Sequence, residues 1–518
     1  MPSAAPHPPR QQNNGTFLVG QRRVSNESSL PRGDESVERD NLIPSHVLGV
    51  KPSGNRFLSS GPDAKANSGA WRHIPDEVLM LILEHLHAPS LLKLGSTCKF
   101  LFAFCHSDEL WKTQFLQLPT DVSQTLKWLG SWRSTFWALP QDVEALPNCG
   151  NVFSDVLHRP FACSNVLPSV YADGIPKANH IHRMENLTYD QYADRWTDKP
   201  FILTHCIQNW PVCAEWTIDR LLGSFANVAF RAEAVDWTLE KYGEYMANNR
   251  DESPLYLFDR KFVEKMGITV GHEDGAAYWK PDCFGPDLFE SLGGERPAHR
   301  WLIIGPERSG STFHKDPNGT SAWNAVIQGS KYWIMFPPSA RVPGVYVSKD
   351  SSEVTSPLSI AEWLLTFHEE ARRLPDCVEG ICHAGEILHV PSGWWHLVVN
   401  LEKGVALTQN FVPKSPSLNL LAEVLLFLRD KPDQVSGFDS SIEQPFELFV
   451  ERLAQTDADA LERALELADK RSGKKRKWDA VVGKEGSKTE TLCGGGFNFG
   501  FGSELDDDID DGEDAEIP

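Results

Sequence analysis

Two histidines and an aspartate are spaced so that they could hold one metal ion. His314 and Asp316 lie one residue apart in STFHKDPNGTSAWNAVIQGSKYWIMFPP, residues 311–338. On an extended strand alternate side chains share a face, so this imidazole and this carboxylate can converge on a single ion. His396 offers a third donor at the start of an apolar run, after the Pro391-Ser392-Gly393 turn of GEILHVPSGWWHLVVN, residues 385–400. Two imidazoles and one carboxylate leave adjacent positions open on a non-haem Fe(II), whereas zinc favours a closed tetrahedral set or a third histidine. His389 lies seven residues before His396 and competes with it for third place. The other reading of His389 is a packing histidine.

Iron of this kind works with a co-substrate that needs its own berth. A 2-oxo diacid chelates the metal through its keto oxygen and adjacent carboxylate, and its far carboxylate needs a buried cation with hydroxyl or amide partners. Lys331 follows a Gly-Ser turn and opens the apolar strand YWIMFP. A lysine there is desolvated and needs an anion, since an unpaired buried charge is expensive. Its plainer reading is a surface lysine at a strand end. Asn324 and Thr408 sit in neighbouring apolar runs, where polar groups must find partners.

The elements around these residues are short. From about 180 to 412, β-branched and aromatic runs (FILTHC, RWLIIG, YWIMFP, GEILHVP, GVALTQNFV) alternate with turn residues, which predicts a sandwich or barrel. Residues 71–118 are instead dense in Leu, Ile and Phe at helical spacing, and predict three helices. Pro75 opens the first, whose apolar stripe is Val78, Leu79, Ile82, Leu83 and Leu86. Leu91, Leu92, Leu94 and Cys98 belong to the second, and Leu110, Trp111 and Phe115 to the third. Residues 119–179 read as a connecting region and 413–469 as further helices. Residues 1–68 and 470–518 are rich in polar, Gly and charged residues and are expected to be disordered; the tail combines the basic run Lys470, Arg471, Lys474, Lys475, Arg476 and Lys477 with an acidic end.

Bulk composition narrows the classes. The chain has 518 residues, enough for two or three domains, and a formal net charge of −21, which argues against general adhesion to nucleic acid or anionic membrane. No direct nucleic-acid binding and no membrane attachment are expected. The ten cysteines form no C-x-x-C pair, so they read as free thiols rather than a zinc finger. The N-terminal MPSAAPHPPRQQNNG has no apolar core and is not a secretory signal.

The strings H-x-D-P-x-G-T-S-A-W-N-x-x-x-x-G-x-K-x-W at 314–333 and G-x-x-x-x-V-P-x-G-W-W-H at 385–396 are long and specific. Through them the chain resembles the jumonji-C oxygenases of the cupin superfamily over residues 180–412, and most of all the nuclear lysyl-hydroxylase and arginine-demethylase subgroup once called the phosphatidylserine receptor. The resemblance implies an α+β protein whose double-stranded β-helix carries Fe(II) at its mouth. It implies His314, Asp316 and His396 as iron ligands, Lys331 for the far carboxylate of 2-oxoglutarate, and Asn324 and Thr408 as hydrogen-bonding partners of that co-substrate. Ser311 stands where the subgroup has threonine, so the hydroxyl is kept and a methyl lost. The implied reaction consumes 2-oxoglutarate and O2 and hydroxylates a protein side chain. A hydroxylated carbon persists, whereas a hydroxylated N-methyl group releases formaldehyde, so the ligand set does not separate lysyl hydroxylation from lysine or arginine demethylation. Histones and RNA-associated proteins are the implied substrates and the nucleus the implied location, with the basic run as import signal. Residues 71–118 resemble an F-box through Ile74-Pro75, Glu77, Ile82-Leu83, Leu86, Leu91-Leu92, Leu94, Cys98-Lys99 and Leu110-Trp111, which implies a Skp1-type adaptor of a cullin–RING ubiquitin ligase as partner. On that reading the barrel could serve mainly as the ligase's recognition surface. The helices after 413 are expected to pack on the barrel or to form a homodimer.

Overall fold

The computed structural model describes residues 44–139, 146–348, 353–357 and 359–482. Eight strands form the barrel: β1 (Arg300–Gly305), β2 (Gly310–His314), β3 (Ser321–Gln328), β4 (Ser330–Phe336), β5 (Val378–His383), β6 (Ile387–Val390), β7 (Trp395–Asn400) and β8 (Gly404–Phe411). They divide into two antiparallel sheets, β6-β3-β8-β1 and β5-β4-β7-β2. The first sheet is widened by Phe201–Leu203 beside β6 and by Leu257–Asp259 beside β1. Facing residues of the two sheets, Ala322, Val326, Leu388 and Val390 against Trp333, Met335 and Val398, share one apolar cluster. This is the double-stranded β-helix.

Both sheets are covered on their outer faces, which explains why these strands read as continuous apolar runs rather than alternating ones. On β3 the outward Trp323, Ala325 and Ile327 join the large core shared with the N-terminal region, and β8 adds Val405, Leu407 and Phe411 to it. On β4 and β7 the outward Tyr332, Ile334, Phe336, Trp395, Leu397 and Val399 pack with Trp363 and Leu364 of the helix Ile360–Arg372. The two-residue period then turns Asn324, Lys331, His396, Asn400, Thr408 and Asn410 inward. Polar residues punctuate the inner face of an otherwise apolar barrel, and they are the site.

From Ser45 to Val482 the described residues form one compact unit. The helical module has four helices, not three: Asp76–Glu84, Ala88–Gly95, Lys99–Cys105 and Asp108–Leu116. The expected second helix breaks after Gly95, where a Cβ would stand 3.0 Å from that of Cys105, so the close crossing favours glycine. Pro75 is the N-cap and Asp76 the first helical residue. The expected stripe of the first helix also splits. Leu79 and Leu83 are buried, whereas Val78, Leu81 and Ile82 face outward.

The expected disorder of residues 1–68 fails for its last third. Leu48, Val50 and Ala64 are buried, and the backbone of Leu48 and Lys51 bonds Cys149 and Val152 about a hundred residues away. Apolar residues scattered among polar ones show no periodicity, so a partner that distant left no local signal. The expected tail begins too early as well. The helix Ala458–Val482 runs through the basic cluster, with Lys470 paired to Glu466 and Arg471 to Glu423. Residues 1–43 and 483–518, including the acidic end, lie outside the described residues.

The C-terminal helices spend their apolar stripes on the barrel. Leu421, Val424, Leu425, Leu428, Phe449, Leu453 and Ala464 cluster with Leu288, Phe289, Leu292 and Val412. Among the described residues no helix is long and apolar enough to cross a membrane.

Candidate metal centre

β2 and β7 lie side by side, with His314 and His396 as register partners. Their ring centroids are 4.1 Å apart. Asp316 follows β2 by two residues in extended conformation (φ −61°, ψ 146°), so the alternation that orients His314 continues one step past the strand. His396 Nε2 lies 3.9 Å from Asp316 Oδ1, and one donor atom from each of the three residues falls within 4.8 Å of the others. His314 Nδ1 is 2.8 Å from the Thr312 carbonyl and His396 Nδ1 is 3.1 Å from the Trp394 carbonyl. A carbonyl only accepts, so Nδ1 carries the proton in both rings and Nε2 is left to bind a metal.

The electrostatics suit a cation. Burial lowers both histidines to about 4, helped at His314 by the neighbouring His396, so both are neutral, as ligands must be. Burial raises Asp316 to about 6, against the pull of His314 and a hydrogen bond from Asn410. Asp316 Oδ2 is buried with no hydrogen-bond partner. A buried carboxylate oxygen without a donor is costly, and a divalent ion would satisfy it.

A cavity opens beside this cluster, lined among others by Tyr256, Ser311, Asn324, Trp333, Thr408 and Asn410. Asn324 and Thr408 are register partners on β3 and β8. Thr408 Oγ1 donates to the Trp323 carbonyl (2.9 Å), while Asn324 Oδ1 is buried and unpartnered. Lys331 stands one side chain behind the wall, only 2 % exposed. Its Nζ bonds the Tyr256 hydroxyl at 2.5 Å and Asn400 Oδ1 at 2.9 Å. Both partners are neutral, and burial lowers the amine to about 7. The surface reading of Lys331 is therefore excluded, and the anion expected for it is not among the described side chains that bond it. Orphaned Asp316 Oδ2 fits a metal and the under-compensated buried amine fits a bound dianion.

His389 is not part of this cluster. Its ring is buried against Phe201, Phe284 and Tyr192, with Nε2 3.2 Å from the Tyr192 hydroxyl and Nδ1 3.0 Å from the Lys199 carbonyl. It is the packing histidine. Sequence reasoning missed Tyr256 and Asn400, which hold Lys331, and Asn410 on Asp316. Asn400 and Asn410 carried a usable signal as polar residues inside apolar runs. Tyr256 precedes the barrel by more than forty residues, and no local pattern ties it to Lys331.

Comparison with known proteins agrees with this geometry. The Cupin-like domain family matches residues 196–416, and the F-box-like family matches 71–117. Over 442 residues the chain is 36% identical to the arginine-specific demethylase JMJ22 of Arabidopsis thaliana, covering 80% of this chain and 85% of that protein. It is 35% identical over 256 residues to the bifunctional arginine demethylase and lysyl-hydroxylase psr-1 of Caenorhabditis elegans, covering 46% of this chain and 62% of that one. It is 29% identical over 151 residues to the 2-oxoglutarate and iron-dependent oxygenase JMJD4 of Danio rerio, covering 28% and 32%. The chain belongs to the jumonji-C family of cupin-like oxygenases, with an F-box-like domain ahead of the barrel. Its class is that of the 2-oxoglutarate- and Fe(II)-dependent dioxygenases.

Proposed function

We propose that this oxygenase oxidises basic side chains of proteins, with N-methylarginine as its first-rank substrate, and that His314, Asp316 and His396 are its iron ligands. The observation that carries the reading is the inward-facing triad beside a cavity whose wall residue Tyr256 is bonded from behind by a desolvated lysine. Support for the substrate class comes from JMJ22, named an arginine-specific demethylase, which aligns across most of both chains. Fe(II) held there with 2-oxoglutarate and O2 supplies oxidation of a C–H bond, and succinate and CO2 leave.

The chain's own residues do the rest. His314 and His396 offer Nε2 because their Nδ1 protons are engaged by main-chain carbonyls. Asp316 brings the negative charge that selects a divalent cation. Lys331 donates to Tyr256, whose hydroxyl lines the cavity and can pass that polarisation to the far carboxylate of the co-substrate. The Asn324 amide N–H and the Ser311 hydroxyl add hydrogen bonds along its length, and Thr408 joins them when its hydroxyl turns from the Trp323 carbonyl. The apolar walls Ala322, Val390 and Val398 exclude water and strengthen each of these contacts.

The F-box-like module supports a second, compatible role. Val78, Leu81 and Ile82 project from one helix into solvent and form an apolar strip suited to a Skp1-type adaptor. Histone or RNA-bound substrates would make the nucleus the site of action, with the basic residues 470–477 as import signal.

The test is aerobic turnover of methylarginine and lysine peptides with Fe(II) and 2-oxoglutarate. Formaldehyde released from methylarginine peptides by the wild type but not by Asp316→Ala supports the reading. A +16 product on lysine peptides, with no formaldehyde, would assign hydroxylation instead. Adaptor binding with no turnover on any peptide would favour a recognition scaffold.

A further inference from the structure

Both groups that bond the Lys331 amine trace back to one buried carboxylate, and that carboxylate is anchored from the F-box-like module. Asp251 is 3 % exposed in the irregular segment between the helix Leu239–Ala247 and the strand Leu257–Asp259. Its carboxylate accepts from Trp132 Nε1 (2.9 Å) and the Tyr245 hydroxyl (2.7 Å), and lies 3.5 Å from Lys112 Nζ. Lys112 belongs to the helix Asp108–Leu116 of the module, and its ammonium also lies 5.6 Å from the Trp132 ring centroid.

Two routes leave Asp251 towards the cavity. In the first, its main-chain carbonyl accepts from Arg308 Nη1 at 2.9 Å. Arg308 has φ +74°, a left-handed conformation that a non-glycine residue holds only when its surroundings fix it. The Arg308 N–H donates to the Asn400 carbonyl (2.9 Å), the Asn400 N–H donates to the Ser309 carbonyl (2.8 Å), and Asn400 Nδ2 donates to Ser309 Oγ (2.9 Å). That pins the amide whose Oδ1 receives Lys331. In the second, the Tyr245 hydroxyl that donates to Asp251 accepts the Leu255 N–H at 2.8 Å, which sets the backbone immediately before Tyr256. The Tyr256 N–H in turn donates to Glu233 at 3.1 Å. Burial acts to lower the Lys112 pKa, yet Asp251, Glu109 and Glu233 hold it above its usual value, so Lys112 remains a cation in this acidic surround.

We propose that Lys112 of the F-box-like module is a positioning residue for the oxygenase: by anchoring Asp251 it fixes Arg308 with Asn400 and Tyr245 with Tyr256, and so the two partners of Lys331. The inference rests on Lys331 serving the co-substrate. It makes the module a structural part of the co-substrate pocket, rather than an appended adaptor tag.

The test uses the full chain with Mn(II) in place of iron and measures 2-oxoglutarate affinity by calorimetry, with Mn(II) affinity as control. Lys112→Met should weaken 2-oxoglutarate about three- to thirtyfold, the span of couplings carried by contiguous side-chain networks, with Mn(II) affinity unchanged. Lys112→Arg should restore binding to within about twofold of wild type, since it returns the cation and its hydrogen-bond donors. Arg308→Gly suits the left-handed backbone, removes the guanidinium and should reproduce the Lys112→Met loss; it decides the matter if Lys112→Met does not fold. A merely structural role would lower Tm and the fraction of binding-competent protein while leaving the affinity of that fraction intact. Wild-type affinity in Lys112→Met and Arg308→Gly, with binding lost in Lys331→Met, overturns the relay and leaves the role of Lys331 standing. Wild-type affinity in Lys331→Met overturns that role itself.

Discussion

Replacing Lys331 with methionine separates the cost of burying its amine from the use the protein makes of it. Burial takes the amine from an ordinary value of 10.5 to about 7. That displacement corresponds to on the order of 5 kcal/mol against the charged form. Methionine fills a similar volume and removes the penalty, but leaves the Tyr256 hydroxyl and Asn400 Oδ1 without their partner, at about 1–3 kcal/mol each. The two effects oppose one another, so Tm of the unliganded protein should change little. Co-substrate binding has no such compensation. A carboxylate left buried without its cation loses about 3–5 kcal/mol, and charging a half-protonated lysine at pH 7 returns only about 0.4 kcal/mol of that. The net loss of about 2.5–4.5 kcal/mol is about a 70- to 2,000-fold rise in the Kd of 2-oxoglutarate. Calorimetry at pH 7 with Mn(II) measures it directly. The ligand supplies a control: 2-oxobutyrate keeps the chelating end and lacks the far carboxylate, so it should bind wild type and Lys331→Met alike. A variant that binds 2-oxoglutarate within about threefold of wild type would refute the reasoning, as would an equal loss for 2-oxobutyrate.

Three further outcomes follow from the same geometry. Since the bound dianion needs the ammonium and the free amine titrates near 7, binding above that pH must take up a proton; affinity should be flat below about pH 7 and weaken by up to about tenfold per unit as pH rises, and a constant affinity to pH 9 would contradict this. His389→Gln should leave Fe(II) stoichiometry unchanged while costing about 1–3 kcal/mol of stability through the lost contacts to Tyr192 and Lys199, as read by denaturant unfolding. Leu81 is 58% exposed, so Leu81→Asp should abolish capture of a Skp1-type adaptor in a pull-down while 2-oxoglutarate affinity stays the same.

What the sequence made legible was set by how local each signal is. His314 and Asp316 are two residues apart on extended backbone, so their convergence follows from strand geometry alone, and His396 follows a turn that begins β7. Lys331, Asn324 and Thr408 announced themselves as polar residues in apolar strands, and the inward parity of β3, β4 and β8 places them together. The parts that stayed hidden are long-range. Tyr256 meets Lys331 across 75 residues, and Lys112 reaches Asp251 across the boundary between two domains. Leu48 and Val50 are covered by a segment about a hundred residues on, so a stretch that looked too polar to fold has a place in the core. The basic run after Lys470 looked like a solvated tail because its charge hid a helix whose earlier turns are seated by Leu461, Ala464 and Ala468.

The central claim is that three side chains hold one ferrous ion with a keto diacid beside it. Anaerobic titration of Fe(II) into the full-length protein, followed by 2-oxoglutarate, tests it most directly through metal stoichiometry and the visible charge-transfer absorption of a chelated keto acid. The account predicts one Fe(II) per chain and that absorption in wild type, with both lost in Asp316→Ala and retained in His389→Gln. Iron retained at wild-type stoichiometry in His314→Ala, Asp316→Ala and His396→Ala alike would contradict it.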